Sequence, residues 1–153
     1  MTIQTTTHLN LRGNAREALT FYRAVFGGEI TVTTYGELGV PPEAPDADKV
    51  VFGQLLAADG VRLMAYDIPA ATGGGIAAGG ETRRENGVTL TGQAFFVALS
   101  GDTLEEVDGY WRALSEAATI IEPLAASPWS PGFGMLTDRF GVTWSVSVTP
   151  PTA

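Results

Sequence analysis

Between positions 5 and 12 polar and apolar residues alternate, with Leu9 and Leu11 on one side of the chain and His8 and Asn10 on the other. A period of two predicts a half-buried strand. The period changes after Gly13-Asn14. From 15 to 26, Ala15, Ala18, Leu19, Tyr22, Val25 and Phe26 recur at intervals of three and four, which predicts an amphipathic helix. Asn14 is placed to cap that helix and Gly27-Gly28 to stop it. Strand-like segments follow at 29–35, 49–57 and 61–67. A Pro- and Ala-rich loop at 39–48 separates the first two, and Asp59-Gly60 marks a hairpin between the last two.

The same order then recurs. A strand is predicted at 93–99 with a turn at Gly101-Asp102, then a helix over 103–116 with a stripe of Leu104, Val107, Trp111 and Leu114. Strands at 119–124, 132–137 and 142–148 complete it, and Pro150-Pro151 cannot continue a strand interior. A shift of about 88 residues lays Leu9 through Asn14 on Val97 through Asp102. An internal repeat of this kind implies two similar modules whose sheets curve around a shared space. The chain thus reads as one domain over 1–153: a first module at about 5–68, a glycine-rich linker at 69–87 expected to be mobile, and a second module at about 88–149.

Composition narrows the chemistry. With 153 residues the chain buries enough surface to fold without staples. It has no cysteine, which removes disulfides, zinc–thiolate sites and cysteine nucleophiles and fits a reducing cytoplasm. Seventeen acidic against 9 basic residues give a net charge of −8, with Lys49 the sole lysine. Nucleic acid and anionic membranes are therefore not expected as partners. The N-terminus lacks a basic region followed by an apolar run, and no stretch reaches the length of a transmembrane helix. A cytoplasmic protein is the expectation.

Three blocks carry a family resemblance: Gly13-Asn14-Ala15-Arg16-Glu17-Ala18-Leu19 through Phe21-Tyr22 to Val25-Phe26-Gly27-Gly28-Glu29; Trp111 through Glu116; and Trp129, Phe133-Gly134-Met135-Leu136, Asp138-Arg139-Phe140-Gly141-Val142-Thr143-Trp144. Together they resemble the PhnB-like branch of the vicinal-oxygen-chelate superfamily, which includes glyoxalase I, bleomycin-resistance proteins and extradiol dioxygenases. The resemblance implies an α+β fold: two tandem βαβββ modules whose curved mixed sheets enclose a cavity, with helices packed outside. It also implies a homodimer. In the third block, residue chemistry alone makes Asp138 a cap for turn amides, Gly141 a positive-φ position and Trp144 a core side chain.

Metal-dependent members of the family bring four His or Glu ligands together from the first and last strands of each module. The corresponding positions here are Thr6 or Thr7, Met64, Gln93 and Ser145, which are poor donors for a divalent ion. A slip of the first strand would bring in His8, the lone histidine, but one histidine makes no facial triad. Relatives also read Lys-Val-Met-His-Ala-Glu where this chain has Lys49-Val50-Val51-Phe52-Gly53-Gln54. No cofactor is expected, and a divalent metal is disfavoured. Some proteins of this branch are called demethylubiquinone methyltransferases, yet no glycine-rich nucleotide loop follows a strand here.

The expected function is metal-independent binding of a small organic molecule. A glyoxalase- or dioxygenase-type metalloenzyme with a shifted site and a homodimeric structural or regulatory protein are the alternatives. The cavity residues expected are His8, Asn10, Gln54, Met64, Tyr66, Gln93, Trp129 and Ser145. All but Ser145 have a plainer reading: strand polarity for His8, Asn10, Gln54 and Gln93, core packing for Met64 and Tyr66, and a loop aromatic for Trp129. Glu105, Glu106 and Asp108 read as a solvated helix start, and the 73–80 glycines as linker.

Overall fold

A computed structural model describes residues 2–69 and 80–150. The chain divides into two compact units, one through Gly74 and the other from Gly75. The linker glycines from Gly73 to Gly79, and Pro151, lie outside the described residues.

The first unit contains β1 (Thr7–Leu11), α1 (Ala15–Phe26), β2 (Glu29–Thr34), β3 (Val50–Leu56) and β4 (Arg62–Asp67). Its sheet has the order β1-β4-β3-β2, with β1 parallel to β4 and the other pairs antiparallel. Helix α1 follows the predicted stripe: Ala15, Ala18, Leu19, Tyr22 and Phe26 are buried against the sheet. Leu9, Leu11, Val50, Leu55, Leu63 and Ala65 complete this core. Burying one leucine or tyrosine there contributes about 1.5–3 kcal/mol. Gly53 has a packing reason, because a Cβ would stand 2.6 Å from Leu19 Cδ1 and 2.8 Å from the Ala65 carbonyl oxygen. The hairpin expected at Asp59-Gly60 joins β3 to β4, with Gly60 at φ 88°.

The helix start departs from expectation. Asn14 makes no side-chain cap. A distant carboxylate takes that place: Asp67 Oδ1, at the end of β4, accepts from Gly13 N at 2.8 Å and Ala15 N at 2.9 Å. Its Oδ2 accepts from Val50 N at 3.0 Å. One buried side chain therefore ties three segments together.

The second unit opens with a hairpin, β5 (Thr82–Glu85) and β6 (Val88–Thr91), within and just beyond the stretch read as linker. Then come β7 (Val97–Gly101), α2 (Leu104–Leu114), β8 (Thr119–Ser127), β9 (Ser130–Thr137) and β10 (Thr143–Val148). The sheet order β7-β10-β9-β8, with β7 parallel to β10, repeats that of the first unit. Gly134 repeats the role of Gly53, since a Cβ there would lie 2.8 Å from the Trp111 ring. The strand predicted at 93–99 is displaced to 97–101. Leu104 is 50% exposed and so leaves the predicted stripe, which Val107 and Leu114 carry. Asp138 caps Phe140 N and Val142 N and accepts from Trp144 Nε1 at 2.9 Å, Gly141 has φ 84°, and Trp144 is core, as the residue chemistry predicted.

Pairing register aligns the halves more finely than the sequence does. Leu11 lies opposite Asp67, and Gly101 opposite Val148. Ile68 N bonds to Leu11 O, and Thr149 N to Gly101 O. Leu11 thus answers to Gly101 and Leu9 to Leu99, two residues beyond the repeat expected from sequence. A slip of two keeps every side chain on its face, so the alternation of polar and apolar residues could not expose it.

Candidate functional site

Helix α1 covers one face of the first sheet, and the pleat sends alternate side chains to the other. Across that second face one row of neighbours reads Thr31, Gln54, Met64 and His8. Tyr66 and Asn10 form a pair in the next row. His8 and Asn10 are exposed, and Gln54, Met64 and Tyr66 are half-buried. Five of the eight predicted cavity residues therefore share one surface.

The geometry of that surface is defined. The His8 and Tyr66 rings meet edge to face, with centroids 5.2 Å apart. His8 Nδ1 lies 3.0 Å from Asn10 Oδ1. With the amide oxygen as the acceptor, His8 Nδ1 is the donor of this contact. Phe52, 40% exposed, extends the aromatic area. Behind it, Tyr35 donates its hydroxyl to the Asp67 carbonyl at 2.7 Å. Burial chiefly, with the nearby Tyr66, Asp46 and Asp67 adding, raises the Tyr35 phenol above its ordinary range.

The other three predicted residues lie in the second unit. Ser145 is on the helix-free face of β10, opposite Met135 of β9. Gln93 is not in a strand. It precedes β7, and its Nε2 donates to Thr82 Oγ1 at 2.7 Å and Thr143 Oγ1 at 3.0 Å. By register Ala98 answers to His8, since His8 pairs with Met64 and Ala98 with Ser145. Trp129 sits in the tight β8–β9 turn, 51% exposed and edge-on to Phe133 at 5.5 Å.

Sequence reasoning missed the element that governs this second face. The β5–β6 hairpin lies over it, turning Thr82, Arg84 and Thr89 towards the sheet. Thr89 Oγ1 approaches Met135 Sδ at 3.7 Å, and Arg84 lies 5.1 Å from the Phe133 ring centroid. The available signal was Asn86-Gly87, a hairpin dipeptide, followed by the apolar–polar alternation of Val88-Thr89-Leu90-Thr91.

The side chains expected at the metal positions, Thr6 or Thr7, Met64, Gln93 and Ser145, with His8 if the first strand slips, offer hydroxyls, a thioether, an amide and at most one imidazole, a set that does not suit a divalent ion. Among the described residues no group of three His, Cys, Asp or Glu could hold a metal. Also among these residues, no helix is long and apolar enough to cross a membrane.

Comparison with known proteins agrees with this architecture. Residues 7–146 match the model of the Glyoxalase/Bleomycin resistance protein/Dioxygenase superfamily. Protein YjdN of Escherichia coli K12 is 25% identical over 148 residues, 92% of either chain. Among solved structures, protein PA1353 from Pseudomonas aeruginosa superposes with a TM-score of 0.75 at 28% identity, covering 97% of this chain and 98% of that one. A putative 3-demethylubiquinone-9 3-methyltransferase, PhnB protein, from Bacillus cereus gives 0.70 at 26% identity, covering 96% and 100%.

Proposed function

The chain belongs to the glyoxalase/bleomycin resistance protein/dioxygenase superfamily, and from that premise we propose that it binds a small organic molecule, without a metal ion, on the helix-free face of its first sheet. The observation that carries this reading is the convergence there of His8, Asn10, Gln54, Met64 and Tyr66. Two aromatic rings, a soft sulfur and a few directional polar groups are what a flat ligand needs from a protein surface. His8 Nε2 accepts a hydrogen bond from a ligand hydroxyl or N–H. Gln54 offers both an acceptor and two donors.

Methyl transfer, for which the Bacillus cereus protein is named, finds little support in the residues here. The strand-to-helix turn, where the common type of methyltransferase would hold its nucleoside cofactor, has the Gly13 and Ala15 amides already engaged by Asp67.

Thermal denaturation against a broad panel of metabolites and antibiotics tests the proposal. A ligand at 100 times its Kd stabilises the fold by about 2.7 kcal/mol, a rise of several degrees. His8→Ala and Tyr66→Ala are expected to abolish that rise without lowering the unliganded melting temperature by more than a few degrees. A panel with no stabilising compound removes the binding reading. Near-stoichiometric zinc, iron, manganese or nickel in unchelated protein overturns its metal-free part.

A further inference from the structure

The layer between the β5–β6 hairpin and the second sheet is built from polar side chains. The residues of the hairpin that turn inward are Thr82, Arg84 and Thr89, whereas Val88 is 56% exposed. A hairpin whose sole task was to complete a dry core would have the opposite polarity. Arg84 stands at the centre of this layer. Its side chain is 11% exposed, and its guanidinium lies over the Phe133 ring. Nη1 donates to Thr89 Oγ1 at 2.9 Å. Nε is buried and, among the described residues, is the buried side-chain nitrogen or oxygen left with no hydrogen bond.

The nearest carboxylate does not satisfy it. Glu122 Oε2 lies 3.6 Å from Nε, within ionic reach but too far for a hydrogen bond. Glu122 is on β8, an edge strand, and its side chain is 39% exposed. The β8–β9 register shifts on both sides of it. Irregularities of this kind release or re-aim a side chain at a sheet edge. Glu122 can therefore swing into water while Arg84 stays buried.

We propose that the second unit holds an anion site in which the carboxylate of a small aryl carboxylic acid displaces Glu122 and pairs with Arg84. The unfilled Nε is one prong of a guanidinium fork, and a planar carboxylate engages such a fork with two parallel hydrogen bonds. The class is aromatic because Phe133 touches both the Arg84 guanidinium and the Trp129 ring. Trp129, half exposed in the adjoining turn, offers a face to the body of the acid. Glu122 is a tethered competitor that keeps the cation neutralised when the site is empty. This site shares no residue with the face proposed above, so each stands or falls alone.

Calorimetric titration of the full chain with benzoate, followed in parallel by tryptophan fluorescence, tests the site, with benzamide as the uncharged analogue. Benzoate is expected to bind once per chain and perturb the fluorescence, and benzamide to bind at least tenfold more weakly. Glu122→Gln removes the competitor and raises benzoate affinity about tenfold, the scale of one charge-assisted hydrogen bond. Arg84→Lys keeps the charge without the fork and lowers affinity about tenfold. Should Arg84→Lys fail to fold, Glu122→Gln decides. No benzoate binding to either wild type or Glu122→Gln overturns the proposal. So does an affinity unchanged by Glu122→Gln, or equal binding of benzamide.

Discussion

The two sheets are built alike and used differently. Corresponding rows on their helix-free faces read Thr31, Gln54, Met64, His8 in the first unit and Glu122, Met135, Ser145, Ala98 in the second. Each row places one thioether beside one polar group at its centre, with the strands exchanged. In the first unit Met64 is half-buried and His8 is exposed. In the second unit Met135 is 2% exposed, because the β5–β6 hairpin lies over it. Burial of a residue on such a face is thus decided by what lies above the sheet, not by the sheet itself. One repeat presents aromatic and polar groups outward, while its twin seals the same positions beneath a polar layer.

Substituting the paired methionines is the strongest way to break this comparison. Met135→Glu puts a carboxylate under the hairpin and is expected to cost about 3–5 kcal/mol or prevent folding. Met64→Glu, at the half-buried position on the first sheet, should stay within about 1 kcal/mol. Urea denaturation of both variants measures the difference, and equal losses would mean that the first face is sealed as well.

The helix starts offer a second contrast. Helix α1 is held by the remote Asp67, whereas α2 is capped locally, with Thr103 Oγ1 accepting from Glu106 N at 3.3 Å. Asp67→Ala strands three backbone donors and should cost about 3 kcal/mol or more at roughly 1 kcal/mol per donor. Thr103→Ala should cost about 1 kcal/mol. Denaturation midpoints with similar shifts in the two variants would show that Asp67 adds no more than an ordinary cap.

Tyr35→Phe has the smallest expected effect. It removes the hydroxyl bonded to the Asp67 carbonyl and should cost about 1 kcal/mol at neutral pH. The sign at alkaline pH follows from the raised phenol. A folded-state pKa above the unfolded value favours the neutral form, so its contribution is complete below the unfolded tyrosine range and is lost as pH rises through the folded value. Wild type should therefore lose stability above that range more steeply than Tyr35→Phe, and parallel curves in alkaline melts would contradict the assignment.

Much of the fold was legible because local periods carry it. The helix predicted at 15–26 forms at Ala15–Phe26, and the alternation around His8 and Asn10 sets both on the face opposite Leu9 and Leu11. The shared face of Met64 and Tyr66 follows from the same period of two. The second module was harder to place. Gln93 reads as a strand residue, yet it bonds two threonines before β7 begins. The repeat was misaligned by two because such a slip leaves alternation intact.

The sequence by itself determined the elements of the first unit, their order and buried faces, the helix and later strands of the second, and the family, since each depends on residue spacing within one segment. Tertiary structure alone decided that Asp67 rather than Asn14 holds α1, and that Gln93 lies outside β7. It alone laid a hairpin over the second sheet and left Arg84 Nε without a hydrogen bond. Those outcomes depend on which distant segments meet, and the hydrogen-bond partner of a buried group is chosen by that meeting, not by its neighbours along the chain.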